Sequence, residues 1–172
     1  MAEKNINQLS IGSCDVYIDD NFVGYTKDEV TVTFTREQME FTSGLPQIPV
    51  AKIVTKETIG ASFSFAQLSA QNFAYALGLT VDPVAVPGHE VINFGGSTAL
   101  GNQHRLELIH NYPDGRILEV IFWKARPSPE VAIAFSSGEY IGIPTTWLAE
   151  EDSSLAAGSR LGRIQVEKES KS

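Results

Sequence analysis

Cysteine is nearly absent from this chain. Cys14 stands alone among 172 residues, so no internal disulfide can form, a reducing compartment is the simpler expectation, and the lone thiol is expected to be inert. Cationic side chains are scarce as well: 13 Lys and Arg face 21 Asp and Glu, for a formal net charge of −8. That sign is wrong for gripping a phosphate backbone or an anionic membrane surface. Nowhere do 18 consecutive apolar residues occur, and Met1 to Gln8 contains no apolar h-region. The expected protein therefore neither spans a membrane nor carries a conventional export signal.

Catalytic signatures are missing too. Gly95-Gly96-Ser97-Thr98-Ala99 breaks the Gly-x-Ser-x-Gly pattern of a nucleophile elbow, and neither a P-loop nor Gly-x-Gly-x-x-Gly occurs. The three histidines, His89, His104 and His110, form no His-x-His or His-Glu-x-x-His pair. On one strand His104 and His110 would lie about 20 Å apart, so they read as surface or hairpin-end residues. Asp19-Asp20-Asn21 lacks the periodic oxygens and the glycine of a calcium loop and reads as a turn. Glu37 with Glu40, and Glu150-Glu151-Asp152, read as solvated acidic faces. No catalytic residue, metal or cofactor is expected, and the chain is not expected to be an enzyme.

What the sequence does contain is a core. Hydrophobic residues make up 42% and charged residues 20%, and a chain of this length buries roughly 70% of its extended surface on folding. One domain over residues 1–172 is expected, with flexible ends at 1–8 and 168–172. Cys14 to Tyr25 alternates around the Asp19-Asp20-Asn21 turn and predicts a hairpin. From Val30, Val32 and Phe34 oppose Thr31, Thr33 and Thr35, the pattern of a half-buried strand. Beyond Arg36 the apolar positions move to Met39 and Phe41, a change of parity that a bulge near Arg36-Glu37 would produce. Thr42 to Thr55, with Gly44, Pro46 and Pro49, reads as a long and unusually apolar loop.

Strand character returns at Glu57 to Ala66, where Ala61, Phe63 and Phe65 oppose Ser62 and Ser64. Ser69 to Leu77 predicts a helix with Ser69 as N-cap, a Leu68–Phe73 staple, an apolar stripe of Ala70, Phe73, Ala74 and Leu77, and Gly78 as C-terminal cap. After a loop with a short strand at Val91 to Phe94, Arg105 to His110 and Ile117 to Ala125 flank the turn Asn111-Tyr112-Pro113-Asp114-Gly115. Val131, Ile133 and Phe135 alternate as a further strand, and Leu161 to Glu167 makes the last. The fold class is mainly β with one short helix.

In their order, several stretches resemble the tail-tube (major tail) proteins of tailed bacteriophages. They are Asp15-Val16-Tyr17-Ile18-Asp19 followed by Val23-Gly24-Tyr25-Thr26-Lys27, the threonine-rich strand, the Pro-containing loop, and Phe73-Ala74-Tyr75-Ala76-Leu77-Gly78. The Gly95-Gly96 loop, Trp123-Lys124-Ala125 and Ile143-Pro144-Thr145-Thr146-Trp147-Leu148-Ala149 complete the set. The resemblance implies a two-sheet β-sandwich or barrel-wall domain with a flanking helix, in a virion protein that assembles with itself. Six copies would close into a ring, and rings would stack into a hollow tail tube that delivers DNA. Implied partners are tape-measure, tail-terminator and tail-tip or baseplate proteins; DNA would pass without specific binding, in a virion assembled in the host cytoplasm.

Within that frame, the wall strands are expected at Val30 to Glu40, Glu57 to Ala66, Arg105 to His110 and Ile117 to Lys124. Thr31, Thr33, Thr35, Ser62 and Ser64 are expected to face the lumen, because their opposite faces carry the core residues. The apolar loop is expected to stack rings through Leu45, Pro46, Ile48, Pro49, Val50 and Lys52. The competing expectation is a capsid-decorating or carbohydrate-binding β-sandwich that uses Trp123 and Trp147 as a ligand platform.

Overall fold

The computed structural model describes residues 14–95, 101–135 and 141–168. Of the flexible ends expected at 1–8 and 168–172, residues 1–8 and 169–172 lie outside the described residues, as does the Gly-rich loop beyond Gly95 as far as residue 100.

The first hairpin forms as its turn residues require. β1 (Asp15–Ile18) alternates half-buried and buried side chains, and Asp19 and Asp20 reverse the chain, with φ of 51° and 64°, into β2 (Asn21–Phe22). Positive φ at both central residues gives the turn whose twist matches the flanking strands. The Asp19 carboxylate anchors it, accepting from the Arg105 backbone N–H at 2.8 Å and meeting His104 Nδ1 at 2.6 Å.

β3 (Thr26–Ser43) and β4 (Ile48–Phe65) are 18 residues each and pair along almost their whole length. The loop expected at Thr42 to Thr55 is therefore a correction: only residues 44–47 turn, and the rest is strand. Pro49 is tolerated because, among the described residues, its strand has no second neighbour at that level, so an absent N–H costs no ladder bond on the open side. The irregularity expected near Arg36-Glu37 falls at Glu37/Gln38, but its extra residue is Thr55 on β4, whose hydroxyl donates to the Glu37 carbonyl at 3.2 Å.

α1 (Ala70–Leu77) begins as expected, with the Ser69 hydroxyl accepting from the Asn72 N–H at 3.1 Å, and ends at Gly78 with φ 66°. Its buried face differs from the expected stripe. Asn72, Ala74, Tyr75 and Ala76 face inward, while Leu77 and the proposed staple residue Leu68 are exposed. The Asn72 amide sets this rotation by donating to the carbonyls of Val23 and Gln67, both at 3.0 Å.

The remaining strands are β5 (Asp82–Val86), β6 (His89–Val91), β7 (His104–Asn111), β8 (Ile117–Pro127), β9 (Ile143–Ala149) and β10 (Gly162–Val166). The expected strand at Val91 to Phe94 is thus replaced by the β5–β6 hairpin. Residues 131–135 form no strand; Val131 and Ile133 pack irregularly against the core and Phe135 is exposed.

The result is mainly β with two sheets and one helix. The large antiparallel sheet runs β2-β1-β7-β8-β9-β4-β3, with β10 also on β8, and β5–β6 is the small second sheet. Core side chains line up across the strands. Ile18, Leu106 and Phe122 share one row, Val16, Leu108 and Val120 the next, and across β8 Trp147 pairs with Ala61 and Ile143 with Phe65. All of these are buried, and Tyr75 and Ala76 of α1 join the same cluster.

Candidate assembly surfaces

Beyond the body of the domain, β3 and β4 continue as a bare ribbon. β9 pairs with β4 only at Gly60 to Phe65, so from Ile59 outward β4 has no neighbour but β3, and β3 has no partner on its outer edge among the described residues. Every residue from Thr33 to Glu57 is exposed. A two-stranded ribbon in water is marginally stable at best, and this one is heavily apolar: Leu45 is 99% exposed, Val50 65%, Ile48 62% and Met39 53%. Of the residues expected to stack rings, Leu45 and Pro46 occupy the turn, and Ile48, Pro49, Val50 and Lys52 lie on β4; all are exposed.

Register resolves the ribbon's two faces. On one, Val32, Phe34, Arg36, Gln38 and Glu40 pair with Ala61, Ile59, Glu57, Val54 and Lys52. Arg36 Nε donates to Glu57 at 2.5 Å and stacks over Phe34, while Lys52 meets Glu40 at 3.2 Å, which confirms the shared face. On the other lie Thr31, Thr33, Thr35, Glu37, Met39 and Phe41. The first face is apolar at its foot and ion-paired outward; the second is hydroxylic at its foot and apolar outward.

At the foot of the ribbon the hydroxyl face is open to solvent. Thr31, Thr33, Thr35 and Ser62 are exposed and Ser64 half-buried, all opposite buried Ala61, Phe63 and Phe65. Sequence reasoning missed that β9 extends this face: Thr146 is exposed and its hydroxyl lies 3.1 Å from Ser62 Oγ. The alternation of Ile143, Thr145 and Trp147 with Pro144, Thr146 and Leu148 was its available signal. The other expected wall strands present a different surface. On β7 and β8, Ile121 is fully buried, Glu107 is nearly buried and pairs with Arg105, and Trp123 Nε1 donates to the Ser159 carbonyl at 2.8 Å. The segment after β9 covers part of that side.

Between ribbon and body lies a cleft of about 690 Å³, lined on one side by Phe34, Arg36, Glu57 and Ile59 and on the other by Glu151, Ala157, Gly158 and residues 160–164. It opens because β9 and β10 both pair along one edge of β8 at different levels, β9 at Ala125 to Pro127 and β10 at Leu118 to Phe122. Where β9 has stopped, β4 and β10 diverge.

The remaining polar candidates are structural. His104 is largely buried rather than on the surface, held by Asp19 and packed edge to face against Tyr75 and Trp147. The acidic runs are ion-paired: Glu37 with Lys56, Glu150 with Arg126, Glu151 with Arg160 and Asp152 with Lys124. Arg126, then Gln103, hold Glu150 below the usual carboxylate range. Burial, with the Asp15 charge second, pushes the Cys14 thiol up to about 11, far from a reactive thiolate. Among the described residues no group of three or more His, Cys, Asp and Glu side chains is placed to hold a metal. The aromatic platform is corrected as well: Trp147 is fully buried, and Trp123 is half-buried with Arg105 and Arg163 over its ring.

No family model and no curated protein matches the chain. Among solved structures it is similar to the tube-terminating cap of the anti-feeding prophage, with 12% identity and a TM-score of 0.59 over 96% of this chain and 97% of that one. It is also similar to a chain of the PVC extracellular contractile injection system, from its sheath–tube complex in the extended state, with 8% identity and a TM-score of 0.59 over 96% and 99%. At such identities the likeness shows the fold, and it does so across nearly the whole of each chain.

Proposed function

We propose that the chain is the building block of a hollow tail tube: six copies close into a ring, and rings stack into the conduit of a phage or phage-like particle. One observation carries this reading. From Thr33 to Glu57 an apolar, two-stranded ribbon stands clear of its own domain, and such an element is sensible only when another molecule covers it. Heterologous contacts that do not close make filaments, which is the geometry a projecting element provides. The open hydroxyl face of β3, β4 and β9 suits a lumen that lets DNA slide without a salt-linked grip, and the fold shared with tube-complex and cap chains agrees.

The role is mechanical, not enzymatic. Tape-measure, terminator and baseplate proteins would be its other partners, and the assembled particle its location. Because the likeness to a tube-terminating cap is equally strong by TM-score, the second reading is a cap that stops at one ring. Negative-stain microscopy of the purified protein over a concentration series separates them: tubes are expected, single rings would favour the cap, and a monomer at every concentration would refute both.

A further inference from the structure

We propose that the cleft at the foot of the ribbon is the socket for the ribbon tip of a second copy in the adjoining ring. The inference rests on the tube reading and names the surface that receives the tip. Phe41 to Ala51 is an 11-residue stretch without a charge, bounded by Glu40 and Lys52. The cleft is complementary in that respect: of its charged lining residues, Arg36 pairs with Glu57 and Arg160 with Glu151, each at 2.5 Å, and the Arg163 guanidinium lies over the Trp123 ring, 5.1 Å from its centroid. An uncharged plug therefore brings no charge that would compete with these pairs. Apolar surface waits on both sides, with Phe34 53% and Ile164 62% exposed across the gap, and a volume of about 690 Å³ is in the range that encloses a compact ligand.

The occupant cannot be the chain's own tip. Leu45 lies nine positions beyond Arg36 and eleven beyond Phe34 along the ribbon, which places the tip roughly 30–40 Å from the cleft. The same distance makes the contact propagate. Each copy's tip reaches the socket of the next, displaced along the ribbon by that length, so the chain of contacts stays open. The edges of β4 and β10 that flank the cleft, unpaired among the described residues, offer backbone groups to the incoming turn.

The test uses a Cys14→Ser background carrying Leu45→Cys on the tip and Ile164→Cys in the socket. Oxidation of assembled tubes is expected to give a ladder of linked chains that passes six, while each single-cysteine variant gives none. A ladder that stops at six would overturn the proposal by showing that the tip reaches a neighbour in the same ring. Normal tubes with no ladder would overturn it and leave the tube reading standing, whereas failure of the unmodified chain to form rings or tubes would remove both. A blocked socket, Ala157→Trp, is expected to yield folded protein and single rings with at least a tenfold loss of tubes; tubes at the usual yield would overturn the assignment. Ring spacing far beyond about 40 Å would do so too, since the tip could not reach.

Discussion

Phe41→Ser with Ile53→Ser tests whether the ribbon belongs to the subunit or to the assembly. Both side chains lie on the same outer face of the ribbon, and they retain 46% and 51% of their surface outside. Fully burying a side chain of this size stabilises by about 1.5–3 kcal/mol, so covering the remaining half is worth about 1 kcal/mol each. The pair then contributes about 2 kcal/mol to every subunit added, and losing it raises the concentration needed for elongation roughly 30-fold. Pelleting assays across a concentration series, with micrographs of each pellet, read that shift directly.

Subunit stability supplies the control. Neither residue is in the core cluster, so circular dichroism is expected to be unchanged and the loss of unfolding free energy to stay within about 1 kcal/mol, as for other surface substitutions. The opposite pattern, a drop of several kcal/mol in subunit stability with an unaltered elongation threshold, would refute the reasoning. It would mean that the ribbon folds back onto its own domain in solution.

Three further outcomes follow from the body of the domain. Because Cys14 rises from an ordinary 9.0 to about 11, its alkylation by iodoacetamide at pH 8 is expected to be about 100-fold slower in the folded than in the unfolded chain, and equal rates would show that the site is open. Ser69→Ala removes the acceptor for the Asn72 N–H and is expected to cost about 1 kcal/mol in denaturant unfolding; no change would show that the cap is dispensable. Glu150 is held low by Arg126, so its stabilisation is complete above the unfolded carboxylate range near pH 4 and is lost as pH falls through the lower folded value. Carboxyl NMR titration is expected to find that Arg126→Gln returns Glu150 toward the ordinary range, and an unmoved midpoint would contradict the assigned cause.

The legible parts of this fold were those decided by neighbours in sequence. The Asp19-Asp20 reversal, the Pro113-Asp114-Gly115 turn, the Ser69 cap and the strand at Val30 to Phe34 each follow from a few adjacent side chains, and each is where the chain chemistry puts it. The face of α1 was not legible, because it is fixed by the Asn72 amide reaching the carbonyl of Val23, 49 positions away. Nor was the cleft, which exists because β9 and β10 share one edge of β8 at different levels. Pro46 and Pro49 suggested a loop because proline excludes central strands; the rule fails where a ribbon has open edges and no centre.

The change of parity along β3 carries the most consequence. A bulge in β3 itself would have kept Val32, Phe34, Met39 and Phe41 on one side, and a single core could then have claimed all four. Instead the extra residue is Thr55 on the partner strand, β3 continues in step, and its apolar side chains change faces between Phe34 and Met39. Of the inner set, Val32 packs against the core opposite Ala61, and Phe34 lines the cleft at the foot of the ribbon. The outer set, Met39 and Phe41, points away from that core and remains about half exposed. One domain on one side of a strand cannot satisfy both halves. The sequence is therefore written for two bodies, the subunit's own core at the foot and a second molecule at the tip, with the Arg36–Glu57 and Glu37–Lys56 pairs marking the crossing point on opposite faces.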